Sequence, residues 1–479
     1  MKLSELIAVD KDVEITGIVT DSRKVKKGNL FLCLEGEKCD GHAYAKEALE
    51  RGATVIVSEK KLGIEGEIVL PDTHRAAAAL FAAWYGHPEK TLSVIGVTGT
   101  NGKTSVTAML DAIYRKAGVK TALFGTLGTA VDGSFEDGEN TTPLPEVLYR
   151  KLKEAREKGV GRVVMEVSSH ALATHRTAEI HFQKAVYTNL TQDHLDYHKT
   201  MQSYASTKLM LFRQCDCGIF NYDDPYSYYA SQISLCDGYG YGQKQGCDFR
   251  VEEVLKNALS SVEYTFLHRG KRYRVACPVF GEFHIYNTLA AVSTAMLDGV
   301  DFDIIESALA DFHGVKGRCE TLYDGAFTVM IDYAHTPDAL FSVLSVLRTH
   351  IPNGKGRLRV LFGCGGDRDR TKRPMMGHIA ALLADEVIVT SDNPRSEEKS
   401  AIIADIVGGM DDLNSDNQPK VIEDRREALQ YAIDSSLEGD VLLVAGKGHE
   451  EYEIDRYGRR PFSERQILRA RLQKNGYLS

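Results

Sequence analysis

The sequence predicts an α/β protein of three domains with a parallel sheet at its centre. At 479 residues the chain is long enough for about three domains of ordinary size. Short β-branched runs alternate with longer amphipathic stretches almost throughout, the pattern of strands and helices layered on parallel sheets. The run Gly96-Val97-Thr98-Gly99-Thr100-Asn101-Gly102-Lys103-Thr104-Ser105 ends an apolar strand, turns through glycines and opens a helix. That is the layout of a nucleotide site at the carboxyl end of a parallel strand.

The first domain is expected over residues 1–90, with strand-like runs at 13–19, 29–34 and 54–57 and an alanine-rich helix at 74–85. The second covers 91–318 and opens with a buried strand at 91–98. The helix after Lys103 turns Val106, Met109, Leu110 and Ile113 to one face, carries Arg115 and Lys116 in its last turn and stops at Gly118. Residues 163–166 read as another strand. The third domain covers 319–479, where 327–332 reads as the first strand of a new α/β block.

Composition excludes several classes. The net charge is −9, from 58 basic and 67 acidic residues, which argues against a dedicated nucleic-acid binder. Anionic small ligands stay open, because a local basic cluster can hold them. The longest apolar run, residues 76–85, is about half a membrane span. Met1-Lys2-Leu3-Ser4-Glu5 leads into no apolar signal region, and the nine cysteines are scattered without a C-x-x-C pair. A cytoplasmic enzyme with reduced thiols is expected, with no membrane insertion.

The phosphate loop has a chemical reading. Gly99 and Gly102 let backbone N–H groups crowd round phosphate oxygens, with Thr100, Asn101 and Ser105 completing the turn. Lys103 neutralises the β- and γ-phosphates, and the Thr104 hydroxyl reaches Mg²⁺. Val97 stands where the strict pattern has glycine, so the loop is a variant. ATP and Mg²⁺ are the expected cofactors. Glu166 ends an apolar strand where a second acidic group is needed for the metal. His194 reads equally as a further metal ligand or as a hydrogen-bonded histidine.

Four motifs carry a family resemblance: residues 98–105, Met165-Glu166-Val167-Ser168-Ser169-His170, Asp193-His194-Leu195-Asp196-Tyr197-His198 and Asp332-Tyr333-Ala334-His335-Thr336-Pro337-Asp338. Together they resemble the Mur ligases of peptidoglycan synthesis, from Thr20-Asp21-Ser22-Arg23 to Gly446-Lys447-Gly448-His449-Glu450. The nearest type extends UDP-N-acetylmuramoyl-L-alanyl-D-glutamate by a third peptide residue.

The resemblance implies a uridine-nucleotide domain, an ATPase domain and a Rossmann-like domain that supplies an amino acid, acting as a monomer. Lys103, Lys208, His194 and Glu166 are then catalytic, with Thr104, Glu166, His194 and a carbamylated Lys208 (N6-carboxylysine) as metal ligands. Asn287, Arg318, Asp332 and His335 join the ATP site. Ser22, Thr141, Thr142, Ser168 and Arg176 contact the UDP-muramoyl dipeptide. Without the resemblance, Lys208 reads as a surface lysine on an amphipathic helix.

Asp392-Asn393-Pro394-Arg395 resembles the loop of enzymes that add meso-diaminopimelate, with Arg368, Gly446 and Glu450 as the other amino-acid contacts. Diaminopimelate differs from lysine by a distal carboxylate, and a guanidinium reads a carboxylate bidentately. A lysine substrate leaves that arginine unpaired. Two departures stand out: His284 where relatives carry Asn, and Ser-Glu-Glu-Lys after Arg395 in place of a closing proline. Cys364 lacks an accompanying base and reads as a small residue filling a turn. The competing readings are a lysine-adding or folylpolyglutamate-type ligase and a nucleotide-driven binding module without turnover.

Overall fold

The computed structural model describes residues 1–9, 13–36, 39–138, 140–351, 356–410 and 418–478. Three main sheets follow one another along the chain. The first is parallel throughout, with strands Gly17–Val19, Asn29–Leu32, Val55–Ser58 and Ile68–Val69 in that order. Its first strand is shorter than the expected 13–19. Pairing begins only at Gly17 opposite Asn29, and upstream the Thr16 hydroxyl instead donates to Lys27 O at 3.0 Å. The alanine-rich helix spans Thr73–Trp84, and Asp72 caps it by accepting from Arg75 N at 2.8 Å.

The second sheet has eleven strands. At its centre Val94–Thr98 lies between Phe182–Tyr187 and Arg162–Glu166, parallel to both. Every residue of Val94–Thr98 is buried, as a strand covered on both faces requires. Antiparallel strands extend the sheet at both edges. The helix Lys103–Lys116 follows the phosphate loop and buries the four apolar residues expected of it.

The third sheet has six strands, all parallel except the edge strand Glu320–Asp324. That strand precedes the run at 327–332 expected to be the domain's first. Its sequence, Glu-Thr-Leu-Tyr-Asp, is polar and half-exposed, so no apolar run announces it.

One apolar core runs without a break from the first sheet (Leu30, Leu32, Val55, Val57), through Ala77 to Ala82, to Val94, Phe124, Leu148 and Met165 of the second. The opposite face of the second sheet has its own core around Met109, Leu110 and Leu289. The third sheet is packed by two separate clusters, to which the second domain contributes only Phe280 among the buried members. Among the described residues no helix is long and apolar enough to cross a membrane. All nine cysteines are described, and all are free.

Candidate active site

The phosphate loop is braced from the segment after the neighbouring strand. Thr100 N donates to Asn189 O and Asn101 N to Asn189 Oδ1, both at 2.9 Å, while the Thr188 hydroxyl donates to Asn101 O at 2.6 Å. Gly99 and Gly102 have φ of +144° and +85°. A Cβ at Gly99 would collide with Thr188 Oγ1, and one at Gly102 with Asn287 Oδ1, so both glycines are required twice over. Asn287 is buried on the helix Phe283–Leu297, and Ser105 lies buried in the first turn of the helix that follows the loop.

Two lysines, part-buried Lys103 and buried Lys208, converge on the loop. Lys103 Nζ donates to Gly99 O at 2.9 Å and Thr100 O at 2.8 Å. Lys208 Nζ, on the helix Met201–Leu209, donates to the same Gly99 O at 2.8 Å and sits 4.6 Å from the Tyr204 ring centroid. Lys208 is 1 % exposed, which excludes the surface-lysine reading. Burial pulls both ammonium groups below their ordinary range, Lys208 far below, and Lys103 adds to the effect at Lys208.

Glu166 is 1 % exposed, not a solvated surface charge. Its carboxylate accepts from Thr126 N at 2.8 Å and from the Thr126 hydroxyl at 3.1 Å. His194 has φ +54° and caps the short helix Leu195–His198, with Nε2 3.2 Å from Asp193 Oδ2. Desolvation lowers the pKa of the His194 imidazole, the neighbouring Asp193 opposing.

Arg318 crosses from the third domain's threshold to the loop, donating to the Thr104 hydroxyl at 3.2 Å and lying 4.5 Å from the Tyr333 ring centroid. Among the described residues its buried Nε has no partner. Asp332 accepts from Cys319 N at 2.6 Å and Ala334 N at 2.7 Å, and burial pushes its carboxyl upward. His335 is pulled down to about 4 by burial, with Nδ1 2.8 Å from Tyr333 O.

Two lysines converging on one carbonyl, a guanidinium nitrogen unpartnered among the described residues and a glycine cradle fit a polyanion such as a nucleoside triphosphate. For Mg²⁺ the fit is partial by nature. Among the described residues no three His, Cys, Asp or Glu are arranged to hold a metal unaided. A magnesium ion that keeps phosphate oxygens and water needs only one or two protein oxygens. Thr104, in the first turn of the helix after the phosphate loop, and Glu166, at the end of the strand beside the one that feeds that loop, are of that kind.

Above this floor opens a cleft of about 1990 Å³ lined from all three domains. It brings together Ser22, Thr141, Ser168, Arg176, His194, His335, Arg368, Asp392, Asn393, Arg395, Gly446 and Glu450. Lys103, Thr104, Glu166, Lys208, Asn287, Asp332, Thr142 and Pro394 do not line it. Arg318 lines a second cavity of about 280 Å³ with His284 and Phe280. His284 is buried with Nδ1 2.7 Å from Phe280 O.

Behind the cleft wall, buried Thr142 ties the expected dipeptide contacts to the strand that ends at Glu166. Its hydroxyl donates to Glu166 O at 2.8 Å and accepts from Ser168 N at 2.9 Å, while Arg176 Nη1 donates to Thr142 O at 2.9 Å. The Thr141 hydroxyl accepts from that of Thr126 at 3.1 Å. Ser22 approaches from the first sheet's side.

At the other end, Arg395 is half-buried with φ +51°, not a free loop charge. Among the described residues it donates only to carbonyl oxygens, of Gly366 at 2.7 Å and Asn393 at 3.5 Å. Burial and the facing Arg368 both hold its guanidinium below the ordinary value. Asn393 Nδ2 donates to Glu450 Oε2 at 2.8 Å, and Pro394 O accepts from Glu397 N. A Cβ on Gly446, whose φ is +112°, would lie 2.7 Å from Asp392 Oδ2. Burial raises Asp392, but Lys447 and Arg425 outweigh it and keep the carboxyl low. Burial, with Asp392 adding, pushes Glu450 up. Two cations and two carboxylates at one end suit a ligand bearing both charges.

Sequence reasoning missed Lys447 and Asp338. Lys447 is fully buried and donates to Asn393 Oδ1 at 2.8 Å and Tyr452 O at 3.0 Å. Between two glycines it reads as solvated. Asp338 accepts from Asn101 Nδ2 at 3.0 Å across the domain boundary, but reads as a favourable charge on a helix N-terminus. Cys364 is buried against Met376 Sδ at 3.8 Å and its thiol is pushed up to about 12 by burial, which suits a turn filler.

Comparison with known proteins follows the same order along the chain. Residues 14–87 match the Mur ligase family catalytic domain, 97–295 the Mur ligase middle domain, and 317–448 the Mur ligase glutamate ligase domain. The chain is 44% identical over 465 residues to a UDP-N-acetylmuramoyl-L-alanyl-D-glutamate–2,6-diaminopimelate ligase of Syntrophomonas wolfei, covering 95% of this chain and 94% of that one. A protein of the same name from Clostridium botulinum is 40% identical over 464 residues, with 95% and 94% coverage. A solved structure of that name superimposes with TM-score 0.69 at 30% identity over 99% of both chains. With three matched segments in sequence order and relatives alike over nearly the whole length, the chain belongs to the Mur ligase family.

Proposed function

We propose that the chain is an ATP-dependent ligase joining meso-diaminopimelate to the side-chain carboxylate of the D-glutamyl residue in UDP-N-acetylmuramoyl-L-alanyl-D-glutamate, a step of peptidoglycan precursor synthesis. The observation that carries the reading is the pairing of Arg368 and Arg395 beside Glu450 in a cleft that also takes in Ser168, Arg176 and His194. A guanidinium that meets only carbonyl oxygens is matched by a substrate carboxylate, and Glu450 by an ammonium.

In this reading residues 1–90 hold the uridine nucleotide, 91–318 activate the carboxylate and 319–479 present the amino acid. The D-glutamyl carboxylate oxygen attacks the γ-phosphorus of ATP, and ADP leaves. The amino acid's uncharged amine then attacks the acyl-phosphate carbon, loses a proton, and the tetrahedral intermediate expels phosphate. Lys103 and Arg318 offset the charge that converges on the loop. Ser168 and Arg176 orient the dipeptide, and buried Thr142 holds both in place. Glu166, Thr104, His194 and a carbamate on Lys208 would hold Mg²⁺, which when bound would draw charge from the phosphate oxygens. All these groups sit on one chain, so a cytoplasmic monomer suffices.

The test is product mass after incubation with ATP, Mg²⁺ and the UDP-muramoyl dipeptide, with diaminopimelate and lysine in separate tubes. Tripeptide with diaminopimelate alone is expected. Product with lysine alone would overturn the reading of Arg395, and product with neither would overturn the ligase itself.

A further inference from the structure

Arg368 and Arg395 belong to separate loops, yet a fixed distance between them is what a carboxylate reader needs. Each loop carries a non-glycine residue in the left-handed region: Asp367 at φ +52° and Arg395 at +51°. Such backbone persists only where its surroundings over-determine it. The two loops lie back to back, because Gly366 N donates to Asn393 O at 2.9 Å and Arg395 Nη1 returns to Gly366 O. A Cβ at Gly366 would collide with Pro394 O.

Glu397 closes this arrangement. One carboxylate oxygen accepts from Asp367 N at 2.6 Å and from Arg373 Nη2 at 2.7 Å, and the other accepts from Arg373 Nη1 at 2.9 Å. Arg373 is completely buried, and its Nη2 also donates to Gly365 O at 3.2 Å. The neighbouring Ser396 hydroxyl donates to Asp367 Oδ1 at 2.6 Å. The side chain that follows one arginine by two positions therefore grips the backbone next to the other.

We infer that Glu397, clamped by Arg373, is a positioning residue that sets the separation of Arg368 and Arg395 and so the enzyme's selection of an amino acid with a distal carboxylate. The inference rests on the reading of those two arginines given above. Glu397 reaches the substrate only through them. Arg373 keeps a second partner, Asp405 Oδ2 at 2.8 Å, so loss of Glu397 does not strand a buried cation.

The test is a double-mutant cycle with Arg395→Ala, Glu397→Ala and the combination, measuring KM and kcat for diaminopimelate and KM for ATP and the UDP-dipeptide. Glu397→Ala is expected to raise the diaminopimelate KM by about ten- to a hundredfold, the scale of a small misplacement, with the other two KM values unchanged. The double variant is expected to be no worse than Arg395→Ala, because the two act as a unit. Glu397→Gln, which can still accept from Asp367 N, is expected to lie between parent and Glu397→Ala; should the alanine variant fail to fold, Glu397→Gln takes its place in the cycle. Multiplying effects in the double variant, or a fall in kcat with KM unmoved, would overturn the inference. An Arg395→Ala variant with unaltered diaminopimelate KM would instead overturn the underlying reading of the arginines.

Discussion

Lys103 and Lys208 share one acceptor, the carbonyl oxygen of Gly99, which receives their ammonium groups at 2.9 and 2.8 Å. Two lysines on a single carbonyl, one of them fully buried, each supply a handle on the site.

Replacing Lys103 by Met is expected to separate rate from stability. The variant loses the charge facing the phosphates, and turnover falls by about 10²–10³-fold, the scale of deleting one preorganised electrostatic group. It also removes a desolvated cation, so the melting temperature stays at or above the parent's. A large drop in melting temperature would show the lysine to be structural.

Burial, with Lys103 adding, holds the Lys208 pKa far below its ordinary value, which favours the uncharged amine. Only that form adds CO₂, giving a carbamate and a proton. Enzyme depleted of dissolved CO₂ is expected to turn over more slowly and to recover with bicarbonate, while Lys208→Arg, which stays protonated, is inactive and shows no recovery. Initial rates under argon with graded bicarbonate check this.

Acid sensitivity follows from buried histidines. His284 and His335 titrate at about 4, below the ordinary 6.5, because burial disfavours the charged ring. Between those values the unfolded chain binds protons that the folded chain refuses, so stability falls as pH drops from about 6.5 toward 4. Melting temperatures at pH 7, 6 and 5 should decline, and His284→Asn should flatten the slope.

Nucleotide is expected to move the domains. Arg318 occupies the Thr104 hydroxyl and Asn101 is tied to Asp338, so ATP engages contacts that span the boundary between the second and third sheets. Small-angle scattering should give a different radius of gyration with an ATP analogue and UDP-dipeptide together than without them. Superimposable profiles would exclude closure.

What could be read from sequence was what is local. The phosphate loop with its following helix, and Glu166 at the end of its own strand, each rest on residues within a short local segment, where glycine, lysine and apolar spacing speak for themselves. The burial of Lys208 was illegible, since a lysine on a short helix carries no mark of what packs over it. Lys447 and Glu397 were illegible for another reason: their partners lie 54 and 24 positions away, and only the tertiary fold pairs them. The edge strand Glu320–Asp324 escaped because its polar residues follow no period.

The core that passes unbroken from the first sheet into the second has a calorimetric consequence. Sheets that share apolar packing melt together, whereas the third, insulated behind its own clusters, is free to melt alone. Heating the unliganded protein should therefore absorb heat in two cooperative transitions, not three, and a ligand bridging the cleft should draw the two together into one.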